Sequence, residues 1–227
     1  MKKLFALIYL ASFVNSSFAD DSTQRSFDGF YVGGSVGAVK ADSDSKEVWR
    51  NIETGFTNEN KPKGLMIGGL VGYNYVTDKN VLFGVEANYH FYGADDETFE
   101  KENGIKTDKW LVETNLKEKA SVKARLGYIF NNDRTLAFLT GGYVTSKTKT
   151  KFTSIPSESN GTETQWHEGY LVGAGVEHFV SEKLTAKVEY NYVDYNKEKI
   201  QSIYDSKFHN QIDEHSVQIG LIYHFQK

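Results

Sequence analysis

Six ionisable residues, Glu86, Lys123, Arg125, Glu177, Lys187 and Glu189, fall in segments where every second residue is aliphatic or aromatic. Successive side chains of an extended chain point to opposite faces, so these three acids and three bases share a face that the apolar residues leave free. Two chemistries are open to them: mutual pairing into a static salt-bridge plug, or a selective path for ions. An unpaired charge away from water is costly, so pairing is the expected arrangement.

Catalysis asks for more. Glu214, His215 and Ser216 supply the residue types of a hydrolytic site. Neighbours on a strand diverge, however, so His215 does not meet Ser216. His90 and His167 stand near one end of their segments, but no nucleophile, base and orienting acid occur at a recognisable spacing, and no enzyme activity is expected. His167, His209 and His215 with Tyr204 could bring imidazole and phenolate ligands to a haem iron. Six histidines in no metal-type spacing weigh against this; the expectation is no cofactor, with haemin binding as an alternative.

The elements that must position the six charges are two-faced segments of about ten residues. Val81, Phe83, Val85, Ala87, Tyr89 and Phe91 alternate with Gly84, Glu86, Asn88 and His90. Ala120, Val122, Ala124, Leu126, Tyr128 and Phe130 alternate with Lys119, Ser121, Lys123, Arg125 and Gly127. Similar runs surround Tyr170–Glu177, Lys187–Tyr192 and Ser216–Phe225, and three glycine-rich ones cover Phe30–Val39, Leu65–Tyr75 and Leu136–Tyr143. That makes eight strands. Their connections alternate in length, with short turns at Thr77–Asn80, Asn131–Arg134 and Ser181–Lys183 and long polar stretches near 41–63, 93–115, 146–165 and 196–213, read as loops. The first long stretch carries Trp49 and Phe56 and the second Trp110, aromatic groups of the kind that anchor a binding partner.

The N-terminus reads Lys2-Lys3, an apolar run from Leu4 to Val14, then Ser17-Phe18-Ala19, the order of a secretory signal. The expected division is a signal peptide over 1–19 and one β-barrel domain over 20–227. Losing two lysines leaves 24 basic against 30 acidic residues and moves the formal charge from -4 to -6, which argues against a nucleic-acid partner. The chain has no cysteine, so an exported fold must rest on its core and its hydrogen bonds. No apolar run after Ala19 is long enough for a membrane helix, and the other structure that satisfies the backbone in lipid is a closed barrel.

A soluble eight-stranded barrel hides apolar residues and shows polar ones. Here the ionisable residues share a face with glycines and the opposite face is aliphatic and aromatic, the pattern of a lipid-facing wall around a charged lumen. Aromatics at segment ends form two expected girdles: Tyr73, Tyr75, Phe83, Tyr128, Phe130, Phe138, Tyr223 and Phe225 at the short-turn end, and Tyr89, Phe91, Tyr170, Tyr190 and Tyr192 at the other. The expected fold is therefore all-β: an eight-stranded antiparallel transmembrane β-barrel with short periplasmic turns and four long extracellular loops.

Several runs carry a family resemblance. They include Gly29-Phe30-Tyr31-Val32-Gly33-Gly34, Gly68-Gly69-Leu70-Val71-Gly72-Tyr73-Asn74-Tyr75, Phe83-Gly84-Val85-Glu86, Val122-Lys123-Ala124-Arg125-Leu126-Gly127-Tyr128, Val172-Gly173-Ala174-Gly175-Val176-Glu177 and Gly220-Leu221-Ile222-Tyr223-His224-Phe225. With these in order the chain resembles small alphaproteobacterial outer-membrane surface antigens, related in architecture to opacity proteins and the OmpA-type barrel. The resemblance implies a bacterial outer-membrane location after export, contact with outer-membrane lipids and lipopolysaccharide, and a structural or adhesin/antigen role through loops that meet host surface or matrix proteins. A narrow porin-like channel or a haemin-binding surface protein are the alternatives it implies.

Overall fold

The computed structural model describes residues 26–49, 52–102, 105–154, 159–196, 198–201 and 206–225. The signal segment expected over 1–19, its cleavage point and Tyr204 lie outside them. The alternating segments form β1 (Gly29–Trp49), β2 (Ile52–Asn60), β3 (Lys63–Val76), β4 (Val81–Glu102), β5 (Ile105–Phe130), β6 (Thr135–Ser154), β7 (Ser159–Phe179), β8 (Leu184–Tyr195), β9 (Glu198–Gln201) and β10 (Ser206–His224). Strands β1, β3, β4, β5, β6, β7, β8 and β10 pair in that order, all antiparallel, and β1 returns onto β10 from Tyr31 opposite His224 to Trp49 opposite Ser206. This closes an eight-stranded barrel, with β2 and β9 added beside β1 and β10 at the end remote from the tight turns. Closure removes the edges that lipid cannot satisfy.

The tight turns use residues suited to them. Asn80 (φ 61°), Asn131 (φ 56°), Asn132 (φ 51°) and Asp133 (φ 62°) take the left-handed backbone that Asn and Asp adopt more readily than other side chains. The third turn runs over 180–183, between Phe179 and Leu184.

The four polar stretches expected as loops are largely strand. β5 is 26 residues long and β4 is 22, where about 9–11 suffice to cross a membrane. Pairing of β5 with β6 continues from Phe130 opposite Thr135 to Trp110 opposite Ser154. Hydrophobic alternation ends where both faces of a strand meet water, so periodicity lost these extensions. Backbone pairing and strand-favouring residues such as Thr145, Thr148, Thr150 and Thr153 carry the ladder on. Register shifts at Phe91/Ala94 and Leu116/Glu118 fall near the upper end of the apolar band, where an extra residue bends and twists the strand.

The two faces are reversed relative to a protein folded in water. Val32, Val36, Ile67, Val71, Val85 and Val122 point outward with Leu65, which is 72% exposed, while the inner face is polar and buried. Covering such an outward side chain with lipid is worth about 1.5–3 kcal/mol each, which identifies the wall as membrane-facing. The girdle aromatics Tyr75, Phe83, Tyr128, Phe130, Tyr223 and Phe225 are exposed at the turn end, and Tyr89, Phe91, Tyr170 and Tyr190 at the other.

Phe138 corrects the expected girdle. It is 3% exposed because it shares the inward phase of Leu136 and Thr140, and Leu139 takes the outer position. Phe138 instead packs with Phe27, Leu82, Ile129, Leu136 and Phe179, an apolar cluster across the turn-end mouth of the barrel. The chain before β1 is tied into this mouth: Asn74 Nδ2 donates to the Phe27 carbonyl at 3.1 Å and the Val76 amide donates to Asp28 Oδ1 at 3.0 Å.

Candidate functional site

The inward phase of β4, β5, β7 and β8 brings the six charges selected from sequence into one buried network. Lys187 Nζ lies 3.0 Å from Glu86 Oε1 and 3.1 Å from Glu189 Oε2. Lys123 Nζ lies 2.5 Å from Glu189 Oε1 and 3.1 Å from Glu86 Oε1. Arg125 lies 2.7 Å from Glu177 Oε2 through Nη2 and 3.4 Å from Glu86 Oε2 through Nη1. Only this last group uses a planar fork that can serve two acids at once, a geometry that lysine lacks.

Three partners complete this network and were not singled out from sequence. Tyr31 donates its hydroxyl to Glu86 at 3.0 Å and accepts from Arg125 at 2.8 Å. His224 Nε2 lies 2.8 Å from Glu177 Oε1, to which Thr185 also donates at 2.7 Å. The Tyr31 ring occupies the space that a Cβ on Gly72 would need, which is why that position carries none. The Arg125 guanidinium stands 4.2 Å from the centre of the Phe138 ring, joining the ion network to the apolar mouth below.

A second cluster spans the lumen nearer the outer end. Lys119 Nζ, from β5, meets Glu214 Oε1, from β10, at 2.5 Å. The other oxygen of Glu214 accepts from Tyr92 at 2.8 Å and Tyr195 at 3.0 Å. Lys119 shares the inward phase of Lys123, and Glu214 that of Ser216 and Gln218, so the same alternation held the signal for both. Apolar groups stand beside the pair: Val39, Met66 and Leu116 on one side, Val144, Leu171 and Val193 on the other. Among the described residues the buried lumen holds four acids and four bases, and every one has an opposite charge within 3.5 Å.

The other candidates do not assemble. His215 points outward, with Nδ1 2.7 Å from the Tyr190 hydroxyl, while Glu214 and Ser216 point inward. His90 faces the lumen with Nε2 2.9 Å from Ser35 Oγ. His167 is buried inside near the Tyr195 ring, so it and His215 lie on opposite faces of the wall. The side chain of His209 lies outside the described residues, among which no group of three or more His, Cys, Asp or Glu could hold a metal ion.

A closed ring of eight strands, apolar outside and charge-paired within, defines a bacterial outer-membrane β-barrel. Residues 5–225 match the outer membrane protein beta-barrel domain, and the chain belongs to that family. It is 28% identical over 167 residues to a 31 kDa outer-membrane immunogenic protein of Brucella melitensis, covering 71% of this chain and 67% of that one. It is 29% identical over 198 residues to a 22 kDa outer membrane protein of Rhizobium leguminosarum bv. viciae, covering 86% and 77%. Among solved structures, the outer membrane protein OprG from Pseudomonas aeruginosa superposes with a TM-score of 0.51 at 14% identity, over 92% of this chain and 100% of that one, a likeness of fold.

Proposed function

We propose that the protein is a non-catalytic surface barrel whose wall sits among outer-membrane lipids and lipopolysaccharide and whose working surface is the outer extension of its strands. The observation that carries this reading is the length of the ladder. Strands of 20–26 residues continue far past the apolar band and stay paired there, with occasional shifts of register. At about 3.3 Å per residue, β5 alone covers roughly 85 Å of chain, against roughly 35 Å for a crossing of ten residues. The lumen, by contrast, is crossed by paired charges, in keeping with an eight-stranded barrel whose narrow interior is lined by side chains. The description of relatives as immunogenic outer-membrane proteins agrees with a surface presented to a host. The partner class is a host surface or matrix protein that meets this extended sheet.

Removing 148–154 and 159–165 together shortens the β6–β7 hairpin and keeps the register below it. The shortened barrel is expected to fold and insert, judged by its altered mobility on unheated gels, while cells displaying it lose binding to host-cell surfaces or matrix. Undiminished binding would discard this hairpin as the contact surface. In planar bilayers the unmodified barrel is expected to show no wide, stable open state; such a state would favour the narrow porin. A haemin titration is expected to leave the Soret band of the free ligand unchanged.

A further inference from the structure

Two sets of ion pairs cross the lumen, and a layer of polar groups without protein partners lies between them. Glu86 and Lys187 join β4 to β8, and Lys123 and Glu189 join β5 to β8, forming a floor. Lys119 and Glu214 join β5 to β10, on opposite sides of the ring, forming a roof. Every strand that carries these charges places a small or uncharged polar residue between floor and roof: Asn88 and His90 on β4, Ser121 on β5, Asn191 on β8 and Ser216 on β10. Asn191 and Ser216 are ladder partners on β8 and β10, and Asn88 and Ser121 are ladder partners on the facing wall, on β4 and β5. All five are at most 8% exposed.

Both side-chain polar atoms of Asn88, both of Asn191, the Oγ of Ser216 and the Nδ1 of His90 have no hydrogen-bond partner among the described residues. Six of the eleven such buried atoms therefore fall in this one layer. Buried polar groups in folded proteins are nearly always satisfied, and a concentration of them calls for a ligand that bonds to several at once. The two carboxamides offer donors and acceptors in equal measure, and the charges above and below already neutralise one another. An ion entering here would find no net countercharge. The chemistry fits water, which needs two to four polar partners in a site of this kind. Four residues of strand separate Lys119 from Lys123, about 13 Å of chain and roughly 10 Å of height once the strands tilt, enough for a small cluster.

We propose that this layer is an occluded compartment holding a cluster of internal water molecules, entered from the outer side when the Lys119–Glu214 roof parts. The roof is one ion pair held by two tyrosine hydroxyls, whereas the floor interlocks six charges and rests on the apolar mouth around Phe27 and Phe138. Entry past the roof breaks the fewer bonds.

The unmodified protein supplies the first test. In micelles, the side-chain NH2 groups of 15N-labelled Asn88 and Asn191 are expected to show NOE cross-peaks to water; folded protein lacking them would overturn the compartment. The second uses the absence of cysteine in the chain. Ser216→Cys then supplies a single thiol, to be treated with a methanethiosulfonate ethylammonium reagent. In the folded barrel its labelling is expected to be slow, at least tenfold faster with Glu214→Gln added, and still slow with Glu86→Gln instead. Rapid labelling without a second change, equal rates in the roof variant, or equal acceleration by the floor variant would each overturn entry through the roof. Lys119→Gln provides a second roof variant should Glu214→Gln not fold.

Discussion

The floor and the roof of the lumen are made of the same residue types, a lysine or arginine facing glutamate, yet they differ in how many partners each charge has. In the floor Glu86 meets Lys123, Arg125 and Lys187, and Glu189 meets two lysines. In the roof Lys119 and Glu214 have one another, and neutral hydroxyls complete the acid's shell. A charge with several partners holds several strands at once. A charge with one is tied to further strands through neutral hydroxyls alone, and its site is the place where the barrel parts most readily. The difference separates a structural lock from a latch.

Arg125 carries most of the floor, reaching two acids, a tyrosine and the Phe138 ring. Arg125→Ala leaves Glu177 and Glu86 underpaired in a buried site and is expected to cost about 3–5 kcal/mol. The measurement is the urea midpoint of the folded barrel in micelles. Arg125→Lys should recover only part, because an ammonium does not reproduce the fork that serves Glu177 and Glu86 together. If Arg125→Ala costs under about 1 kcal/mol, the floor is no lock.

Lys119→Met comes next. Glu214 keeps two hydroxyl donors, so the expected loss is about 2 kcal/mol, the scale of a hydrogen bond to a charged group. Replacing both partners, as Lys119→Met with Glu214→Leu, should return much of that loss, since an apolar pair leaves no uncompensated charge. A single roof variant as damaging as Arg125→Ala would erase the distinction between the two clusters.

Much of this architecture was legible in the sequence because alternation reports the two faces wherever one face meets lipid. It placed Glu86, Lys123, Arg125, Glu177, Lys187 and Glu189 on the inner face, and the structure brings all six together. It did not reveal the partners at strand ends. Tyr31 and His224 stand next to girdle aromatics, where a ring reads as lipid-facing until the phase is counted. Phe138 failed for that reason in the opposite direction. Lys119 and Glu214 had the right phase, but Glu214 drew attention for its neighbours His215 and Ser216 rather than for the strand across the lumen. The outer ladder was least legible, because a strand wetted on both faces has no hydrophobic period to read.

The rim above the apolar band tests the comparison from its weakest side, since there the same ion chemistry is open to water. Lys40 Nζ meets Asp42 Oδ2 at 2.5 Å and Lys61 stands 3.8 Å from Oδ1. In the ladder Asp42 faces Asp213, which in turn faces Asp194, so the two lysines also offset a row of like charges. The hydrogen bond from Lys40, aided by the charges of Lys40, Lys61 and His215, holds the Asp42 carboxyl below its usual range. A carboxyl lowered on folding contributes stability above its unfolded value, about 3.9, and loses it as pH falls through the folded value. Solvent screening keeps that contribution under about 0.5 kcal/mol. Asp42→Asn should therefore shift the urea midpoint slightly at pH 7 in low salt. The shift should vanish in acid below the folded value, and in about 1 M salt, where the Debye length is near 3 Å. A salt-resistant loss as large as that of Lys119→Met would mean that burial is not what gives the lumen pairs their strength.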